Sequence, residues 1–393
     1  MPTLHEVIAL LHGWYPPATA EPWDAVGLVS GDPDQRVAKV MFAVDPTETV
    51  AHEAAQWGAD LLVVHHPLFL KPVHGVARTT PKGRTLGVLL DAGCALLTAH
   101  TNADRAVSGV SEALASALGL RDLSPIEPGP HEATDKLTVY VPLTHADGVR
   151  EALASAGAGH LGDYASASFS SAGQGRFLPL DGANPAIGQV GSLEVVDEER
   201  VEVTFARSLR GSVVSAMLAA HPYEEPAYDV IELAALGEVE AGSGRIGDVA
   251  HTTLGDFAQQ VADSLPRTAT GVRIAGDLQR PVRRVAVCGG AGDFLLDRVM
   301  ATDADVYVTS DLRHHPAGEF LDKGGPALID VAHWAAEWTW LPVVADRVRA
   351  AFEPAGDTVA TKVSVTPTDP WTGHALGRPH HTEPQVDTYR SQP

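Results

Sequence analysis

Two adjacent histidines, His65 and His66, stand inside the aliphatic run LLVVHHPLFL, residues 61–70. Adjacent side chains of a strand point to opposite faces, so both imidazoles can reach one site only if the strand ends there. Pro67 favours such an end, because proline lacks a backbone donor and restricts the residue before it. The structural alternative is a hydrogen-bonded histidine pair at the rim of a sheet.

A second pair of interest, His333 and Glu337, is separated by four residues in DVAHWAAEW. On a helix this spacing places both side chains on one face, where an imidazole and a carboxylate can bind the same ion. A solvent-exposed pair on a surface helix is the alternative. Asp104 and His100, also four residues apart, follow another apolar run in ALLTAHTNAD, residues 95–104.

Nitrogen and carboxylate ligands without a thiolate suit zinc, iron(II), manganese or nickel. Five such residues are about enough for two divalent ions with positions left for water, and two-metal sites usually hydrolyse phosphates, amides or related bonds. The candidate ligands are His65, His66, Asp104, His333 and Glu337. His100 and His314 are candidates for proton transfer, and Asp311 and His315 are possible partners of the ligands or residues of a polar loop.

The glycines of VCGGAGD, residues 287–293, follow a predicted strand and precede a predicted helix. A turn of this kind can bind phosphate at the helix N-terminus. The spacing differs from G-x-G-x-x-G, however, so a tight structural turn is the favoured interpretation.

The elements that must position these residues form an α/β pattern. Residues 39–45 and 60–64 are predicted strands on either side of a helix at 47–57, and a helix at 84–93 leads into the run at 95–104. This order predicts a doubly wound parallel sheet, in which ligands gather beyond the carboxyl ends of the strands. Asp45, the tandem histidines and His100 with Asp104 all fall at such ends.

The middle of the chain changes character. From residue 136 onwards the predicted order is β-α-β-β-α-β, with strands at 164–171 and 200–208, and Pro and Gly cluster at both borders. The order is typical of a ferredoxin-like domain. We therefore expect a discontinuous core of two Rossmann-like βαβ halves, residues 1–130 and 241–366, with an inserted α+β domain at 131–240 and a disordered tail at 367–393.

The two halves resemble each other. GADLLVVHH aligns with DADVYVTSD, so that Asp60 corresponds to Asp305 and His66 to Asp311. The His100–Asp104 and His333–Glu337 pairs correspond with an offset of one residue in the strand before them. Duplication of a βαβ unit, or chance likeness of short α/β segments, explains this pattern.

Charge and composition restrict the function. The chain of 393 residues is 45% hydrophobic and has a formal net charge of -22, which disfavours nucleic-acid binding. Its two cysteines lie in apolar runs and indicate neither disulfides nor a thiolate metal site. Without a long apolar segment or a basic leader, we expect a cytoplasmic protein with no membrane segment.

Five ordered motifs together resemble the Nif-three-like dinuclear metal-centre proteins, whose bacterial members carry the name GTP cyclohydrolase 1 type 2 homologue. The motifs are AEPWDAVGLVSG, VVHHPLF, AHTNAD, HPYEEPAYDV and DVAHWAAEW. The resemblance covers nearly the whole chain before the tail. One departure is Ala25, where the family usually has Asn, and another is Trp334, where a smaller aromatic residue is frequent.

The resemblance implies that His65, His66, Asp104, His333 and Glu337 match the family's two-metal ligands. It also implies a toroidal homohexamer and an insert similar to the PII and CutA folds. Two functions remain open. One is a metal-dependent hydrolase acting on a small molecule such as a nucleotide. The other is a metal-binding or regulatory assembly without turnover, which binds a small effector or a protein partner.

Overall fold

A computed structural model describes residues 1–130, 133–162, 164–234, 239–355 and 358–375. The chain divides into two compact units. Met1–Gly129 and Val239–Pro393 form the first, which we call the core unit, and Pro130–Glu238 form the second, which we call the insert unit. The insert unit occupies the stretch for which the sequence predicts an inserted domain.

The first half of the core unit alternates strands and helices. Its strands are β1 (Gly27–Ser30), β2 (Lys39–Ala43), β3 (Leu61–Val64), β4 (Ala95–Thr98), β5 (Arg121–Ser124) and β6 (Glu127–Pro128). Its helices are α1 (Leu4–Trp14), α2 (Glu48–Trp57), α3 (Pro81–Asp91), α4 (Thr101–Arg105) and α5 (Val110–Ala117).

The insert unit has the element order β-α-β-β-α-β. Its elements are β7 (Thr134–Pro142), α6 (Ala146–Ser155), β8 (Phe169–Phe177), β9 (Glu194–Ala206), α7 (Arg210–Ala220) and β10 (Tyr228–Glu232). The four strands form an antiparallel sheet in the order β10-β7-β9-β8. Its likeness to the PII and CutA folds stays a prediction.

The second half of the core unit carries the remaining elements. Its strands are β11 (Gly242–Ser243), β12 (Arg245–Thr253), β13 (Arg273–Ala275), β14 (Pro281–Ala291), β15 (Val306–Ser310), β16 (Ala327–Val331) and β17 (Ala360–Val363). Its helices are α8 (Leu254–Ser264), α9 (Leu296–Met300), α10 (His314–Asp322), α11 (His333–Trp338) and α12 (Trp340–Phe352). None of the helices in the described ranges is both long and apolar enough to span a bilayer.

The core unit contains two main sheets. The first has the order β1-β4-β3-β2-β17, and the second has the order β13-β16-β15-β14-β12-β5. Strands β2, β3, β4 and β17 are parallel, as are β14, β15 and β16. The edge strands β1 and β13 run antiparallel to β4 and β16, so the sheets are mixed rather than wholly parallel.

Apolar side chains cover both faces of each sheet. On the first sheet Phe42 and Val63 face a cluster with α1 and α12, whereas Met41 and Leu62 face α2 and α3. The parallel strands are thus buried on both sides, which explains their nearly continuous aliphatic sequences. The fold is α/β, as the sequence predicts.

The two halves share a backbone-binding carboxylate. Asp60 Oδ2 accepts hydrogen bonds from the backbone N–H groups of Ala38 and Lys39, at 2.8 and 2.9 Å. Asp305 Oδ2 accepts from the N–H groups of Arg283 and Arg284, at 2.8 and 3.0 Å. Asp60 precedes β3 and binds the backbone at the start of β2, and Asp305 precedes β15 and binds the backbone within β14. Each aspartate therefore links two neighbouring parallel strands.

Helix starts repeat in the same way. Thr3 caps α1, and its hydroxyl accepts from Glu6 N while Thr3 N donates to the Glu6 carboxylate. Thr253 caps α8, and its hydroxyl accepts from Asp256 N at 3.2 Å. Both sequences place Thr three residues before an acidic residue, which is the pattern of a helix N-terminus.

Several predicted boundaries differ from the structure. The run at 95–104 ends as a strand at Thr98, and Asp104 lies on the short helix α4. The strand predicted at 164–171 occupies Phe169–Phe177 instead, where an exposed edge strand pairs with β9 through polar and glycine residues that give no apolar alternation. The tail predicted from 367 begins with described residues that contact the core unit, and residues 376–393 lie outside the described ranges.

Asp60 and Asp305 allow a paired test of the repeated framework. Replacing either by Ala leaves two backbone N–H groups without their acceptor, so each change should lower the free energy of unfolding by about 1–3 kcal/mol. Urea unfolding followed by circular dichroism measures this. Asp60→Asn and Asp305→Asn retain an acceptor oxygen and should cost less, and Ala variants as stable as wild type would contradict the assignment.

Candidate metal centre

The candidate residues emerge at the carboxyl ends of three parallel strands. His65 and His66 follow β3, His100 follows β4 immediately before α4, and His333 begins α11 after β16. Glu337 lies one turn further along α11. The backbone amides of His65 and His66 donate to Ala43 O and Val44 O, which holds the tandem pair beside the end of β2.

Each of the four imidazoles is held through its Nδ1 atom by an oxygen. Because a carbonyl or carboxylate oxygen accepts, Nδ1 donates to it, and Nε2 faces the cluster. The pairs are His65 with Ala99 O at 2.9 Å, His66 with Asp45 at 2.7 Å, His100 with Asp24 at 2.8 Å and His333 with Asp311 at 2.6 Å.

Glu337 lies among these Nε2 atoms with a side chain that is 3% exposed. Its Oε1 lies 2.8 Å from His333 Nε2 and 3.4 Å from His65 Nε2, and its Oε2 lies 3.2 Å from His66 Nε2. His65 Nε2 is also 3.5 Å from Asp104 Oδ1. The structure therefore brings His65, His66, Asp104, His333 and Glu337 together.

Three buried polar atoms of this cluster lack a hydrogen-bond partner within the described chain: His65 Nε2, Asp104 Oδ1 and Glu337 Oε2. Buried polar atoms are nearly always satisfied in folded proteins, so three of them in one cluster require an explanation. Cations bound within the cluster would satisfy these atoms, because each atom offers a lone pair. Two sets of three residues each have ligand atoms that lie within 4.8 Å of one another. The first set is His65, His66 and His100, and the second is His66, His333 and Glu337.

The charges of the cluster are strongly coupled. Burial alone would lower the pKa of His66, but the Glu337 and Asp45 carboxylates raise it to about 11. Burial likewise opposes the carboxylates Glu337 and Asp311, which raise the pKa of His333 to about 10. Burial would raise the pKa of Glu337, yet the three imidazoles hold it well below its usual value.

The pKa of Asp104 is raised, unlike that of Glu337, and the pKa of His100 is lowered, unlike those of His66 and His333. Burial, reinforced by Glu337, raises the pKa of Asp104 to about 6. Burial and the neighbouring His65 lower the pKa of His100 to about 4. His100 is therefore a neutral imidazole at pH 7, with its Nδ1–H bound to Asp24 and a lone pair on Nε2.

Asp24 is a residue that the sequence analysis did not single out. Its fully buried side chain binds His100 through Oδ1, while Oδ2 accepts from Thr101 Oγ1 at 2.5 Å and Thr101 N at 3.1 Å. Trp23, 58% exposed, packs edge-on against the His100 ring. The sequence signal for Asp24 is its place in the motif WDAVGL, beside Ala25, where the family usually has Asn.

His314 stands apart from the cluster. It begins α10, is exposed, and packs its ring edge-on against His315. Within the described ranges it makes no hydrogen bond to the candidate ligands. Of the two proton-transfer candidates, only His100 lies among the clustered imidazoles.

The second half contributes backbone space. Asp45 and Gly290 occupy corresponding positions in the two halves. Asp45 lies six positions after Lys39, whose N–H group binds Asp60, and Gly290 lies six positions after Arg284, whose N–H group binds Asp305. A Cβ at Gly290 would lie 2.6 Å from Glu337 Oε1, and Gly290 has a φ of +69°. The glycine turn therefore clears room for Glu337, which is a role that neither the phosphate-binding nor the simple-turn interpretation included. Nearby, Asp311 holds His333 from a positive φ of 57°.

A buried arginine fixes the helix that carries Asp104. Arg245 donates to Ala106 O at the end of α4 and to Gly242 O and Gly244 O, each at 2.8 Å. It also lies 3.4 Å from Glu112. A cation at the carbonyl end of α4 stabilises it.

A cleft of about 680 Å³ opens beside the cluster. One side is formed by Asp45, His66, Asp311 and His333, and another by the C-terminal segment that contains Thr368 and Trp371. This volume is typical of a site for a small molecule. The cluster is thus reachable by a ligand rather than sealed in the core.

Comparison with known proteins identifies the family. A family model described as Duf34/NIF3 (NGG1p interacting factor 3) matches residues 2–370. The chain belongs to this DUF34/NIF3 family.

Two curated relatives carry the same name. The chain is 50% identical over 378 residues to the "GTP cyclohydrolase 1 type 2 homolog" of Mycobacterium tuberculosis, covering 95% of this chain and 98% of the relative. It is 39% identical over 331 residues to the protein of that name from Bacillus subtilis, covering 84% and 88%.

Solved structures share the fold. A Bacillus cereus protein related to NIF3 is 37% identical with a TM-score of 0.76, and Staphylococcus aureus protein SA1388 is 27% identical with a TM-score of 0.78. In both comparisons the alignment covers 94% of this chain and 98% of the other.

Asp24 can be tested separately from the candidate ligands. Asp24→Ala leaves His100 Nδ1, Thr101 N and Thr101 Oγ1 without their buried acceptor, so it should lower the free energy of unfolding by about 2–4 kcal/mol. Chelator-treated protein unfolded in urea at pH 7 gives the value.

The matched control is Asp24→Asn, which keeps an acceptor oxygen but loses the charge. Burial acts to raise the pKa of Asp24, but the hydrogen bonds from His100 and Thr101 outweigh burial and lower this pKa. A carboxyl group whose pKa is lowered in the folded protein contributes stability at pH values above its ordinary pKa. This stability is lost as the pH falls. The wild type should therefore lose its advantage over Asp24→Asn in acid, and a constant difference across pH would contradict this role.

Proposed function

We propose that this protein is a metal-dependent hydrolase in which His65, His66, Asp104, His333 and Glu337 hold two divalent ions. The observation that supports it most directly is the group of three buried atoms without hydrogen-bond partners, His65 Nε2, Asp104 Oδ1 and Glu337 Oε2. All three atoms are able to bind a cation. The nitrogen and oxygen ligands suit zinc, iron, manganese or nickel.

Glu337 would help to hold the ions, because its two oxygens face different imidazoles. Oε1 lies near His65 and His333, and Oε2 lies near His66. A carboxylate in this position would offset part of the positive charge of bound cations. His100 Nε2 lies with His65 and His66 and is an additional candidate ligand or proton acceptor.

Bound divalent ions of this type supply Lewis acidity and lower the pKa of a neighbouring water towards neutrality. The protein's own contribution is orientation. The Ala99 carbonyl and the carboxylates of Asp45, Asp24 and Asp311 fix each ring and its tautomer. Partners of this kind typically change metal affinity or activity by about 10–100-fold when removed.

The substrate that we propose is a small molecule that enters the 680 Å³ cleft. The curated relatives are named for GTP, so GTP is the first substrate to assay, with hydrolytic opening of its purine ring as the reaction. The place of action that we propose is the cytoplasm, in keeping with two free cysteines, Cys94 and Cys288, both buried.

A regulatory assembly without turnover is the second candidate function. The insert unit supports it, because a separate cleft of about 1010 Å³ lies there, lined by Tyr140, Phe177, Glu198, Arg200 and Tyr223. A small effector would fit such a cleft. Saturable binding of GTP to the metal-loaded protein with no product would favour this function over the hydrolase.

We also propose a homohexamer, following the family resemblance. Light scattering coupled to gel filtration would give the mass of six 41.3 kDa chains. A monomeric mass at micromolar concentration would refute the proposed assembly without affecting the ligand assignment.

Metal content tests the ligand assignment. Untagged wild type should contain about two divalent ions per chain, measured by inductively coupled plasma mass spectrometry, and His65→Ala with His333→Ala should lose them, because both ligand sets then lack an imidazole. Glu337→Ala should lose both ions and any hydrolysis of GTP together.

The control is His314→Ala with His315→Ala, which removes two imidazoles from outside the cluster. It should keep the wild-type metal content. Well-folded wild type without metal after growth and dialysis in the four candidate metals, or full occupancy in Glu337→Ala, would refute the assignment.

Metal binding should release protons. The pKa values of about 11 for His66 and about 10 for His333 exceed the ordinary 6.5, so without a cation both rings are protonated at pH 7.5. Their pairing contributes stability that is complete below pH 6.5 and lost as pH rises through 10–11. A divalent ion must displace these protons, so its affinity should rise with pH.

Calorimetric titration of zinc into chelator-treated protein measures this release. The observed enthalpy should change with the ionisation enthalpy of the buffer, and the dependence should weaken in His66→Gln. An enthalpy that is equal in all buffers at pH 7.5 would show that the rings are already neutral.

A further inference from the structure

The C-terminal segment forms one side of the cleft beside the metal centre. Thr368, Asp369, Pro370 and Trp371 line the cleft together with His66 and His333. These four residues fall in the stretch that the sequence predicts to be a disordered tail. Their position raises the question of what the segment contributes to the cleft.

Specific hydrogen bonds hold the segment in place. After β17, Ser364 Oγ and Thr366 Oγ1 donate to Glu53 Oε2 at 2.7 and 3.0 Å, and Trp338 Nε1 donates to Ser364 O at 2.9 Å. Thr368 Oγ1 donates to Asp45, the same carboxylate that orients His66. The segment is therefore attached directly to a partner of the candidate ligands.

Contacts fix the backbone on both sides of Trp371. On one side stands the Thr368–Asp45 hydrogen bond, and Trp371 N donates to Asp369 Oδ1 at 3.1 Å. On the other side His374 Nδ1 donates to Ala269 O at 2.6 Å. The indole thus projects from an anchored backbone.

The Trp371 side chain is nevertheless 65% exposed while it lines the cleft. Within the described residues its ring stacks on no other aromatic ring and on no cation. Leaving so large an apolar face in water forgoes the favourable free energy of burying it. A ligand that covers the ring recovers part of this energy.

The chemistry of the cleft favours a flat, nitrogen-rich ring as the ligand. Indole faces stack on heteroaromatic rings. Of the four carboxylates along the cleft, Asp45, Asp311 and Asp330 are bound by His66, His333 and Arg273. The fourth, Asp369, keeps a buried Oδ2 without a hydrogen-bond partner among the described residues, beside Trp371. A ring with several N–H groups therefore matches the lining better than an aliphatic or purely anionic molecule.

We propose that Trp371 is the stacking surface for the purine ring of the substrate, and that the C-terminal segment places that ring beside the metal centre. The inference rests on the proposed hydrolase function, whose substrate it specifies as a purine nucleotide. Trp371 acts by binding the ring and holding it against the cleft. Thr368 and Asp45 couple its position to that of His66.

Full-length, metal-loaded protein with GTP as the probe tests the proposal. Stacking of one base on an aromatic side chain contributes about 1–3 kcal/mol, so Trp371→Ala should raise the Kd for GTP about 5- to 150-fold. Trp371→Phe keeps a flat ring and should stay within about threefold of wild type. Calorimetry gives the Kd values, and mass spectrometry should show an unchanged metal content.

Kinetics give a second measurement. Trp371 contacts the ring from binding onwards, so Trp371→Ala should raise KM by a larger factor than it lowers kcat. Phe294→Ala is the matched control, because Phe294 is 61% exposed and lies outside the cleft beside the metal centre. This variant should bind GTP like wild type.

The outcomes separate the two proposals. Two bound ions with GTP affinity unchanged in Trp371→Ala would overturn the stacking role and leave the hydrolase intact. Metal-loaded wild type that binds no GTP would overturn the purine assignment, whereas wild type that holds no metal would overturn the hydrolase itself. A smaller assembly mass for Trp371→Ala would assign the ring to a contact between copies and overturn the substrate role.

Discussion

The buried carboxylate of Glu337 is the feature on which the metal centre depends. One nearly inaccessible anion lies within 3.4 Å of three imidazole Nε2 atoms. Burying a charge is costly unless it is compensated, and here either protons on the rings or bound cations provide the compensation. The two forms of compensation exclude each other, because a ring that binds an ion through Nε2 cannot carry a proton there.

The surrounding fold keeps this carboxylate and its neighbours in place. Each imidazole is held from behind, so rotation of a ring would break a buried hydrogen bond. Gly290 leaves the space that Glu337 occupies, and Arg245 fixes the end of the helix that carries Asp104. The two sheets share one framework, with Asp60 and Asp305 in the same role, but differ at their strand ends. The first half supplies the tandem histidines there, and the second supplies a glycine and an aspartate.

Sequence patterns predicted those features that depend on neighbours along the chain. The HHP stretch, the four-residue spacing of His333 and Glu337, and the β-α-β order are all local, and they led to the α/β class and to residues that the structure brings together. Asp24 escaped notice because its partner His100 is 76 residues away. The helix at Asp104 was missed because a five-residue helix has too little periodicity to be recognised.

The C-terminal segment shows a second limit of prediction from sequence. Its Pro, Thr and Gly residues correctly indicate irregular backbone, since residues 364–375 contain no helix or strand. Irregular backbone is not the same as an unattached chain, however, because Ser364, Thr366 and Thr368 satisfy their hydroxyl groups on Glu53 and Asp45. Composition reports whether a segment can form its own regular hydrogen bonds. It does not report whether the rest of the protein offers acceptors to it, and here those acceptors include the carboxylate that orients His66.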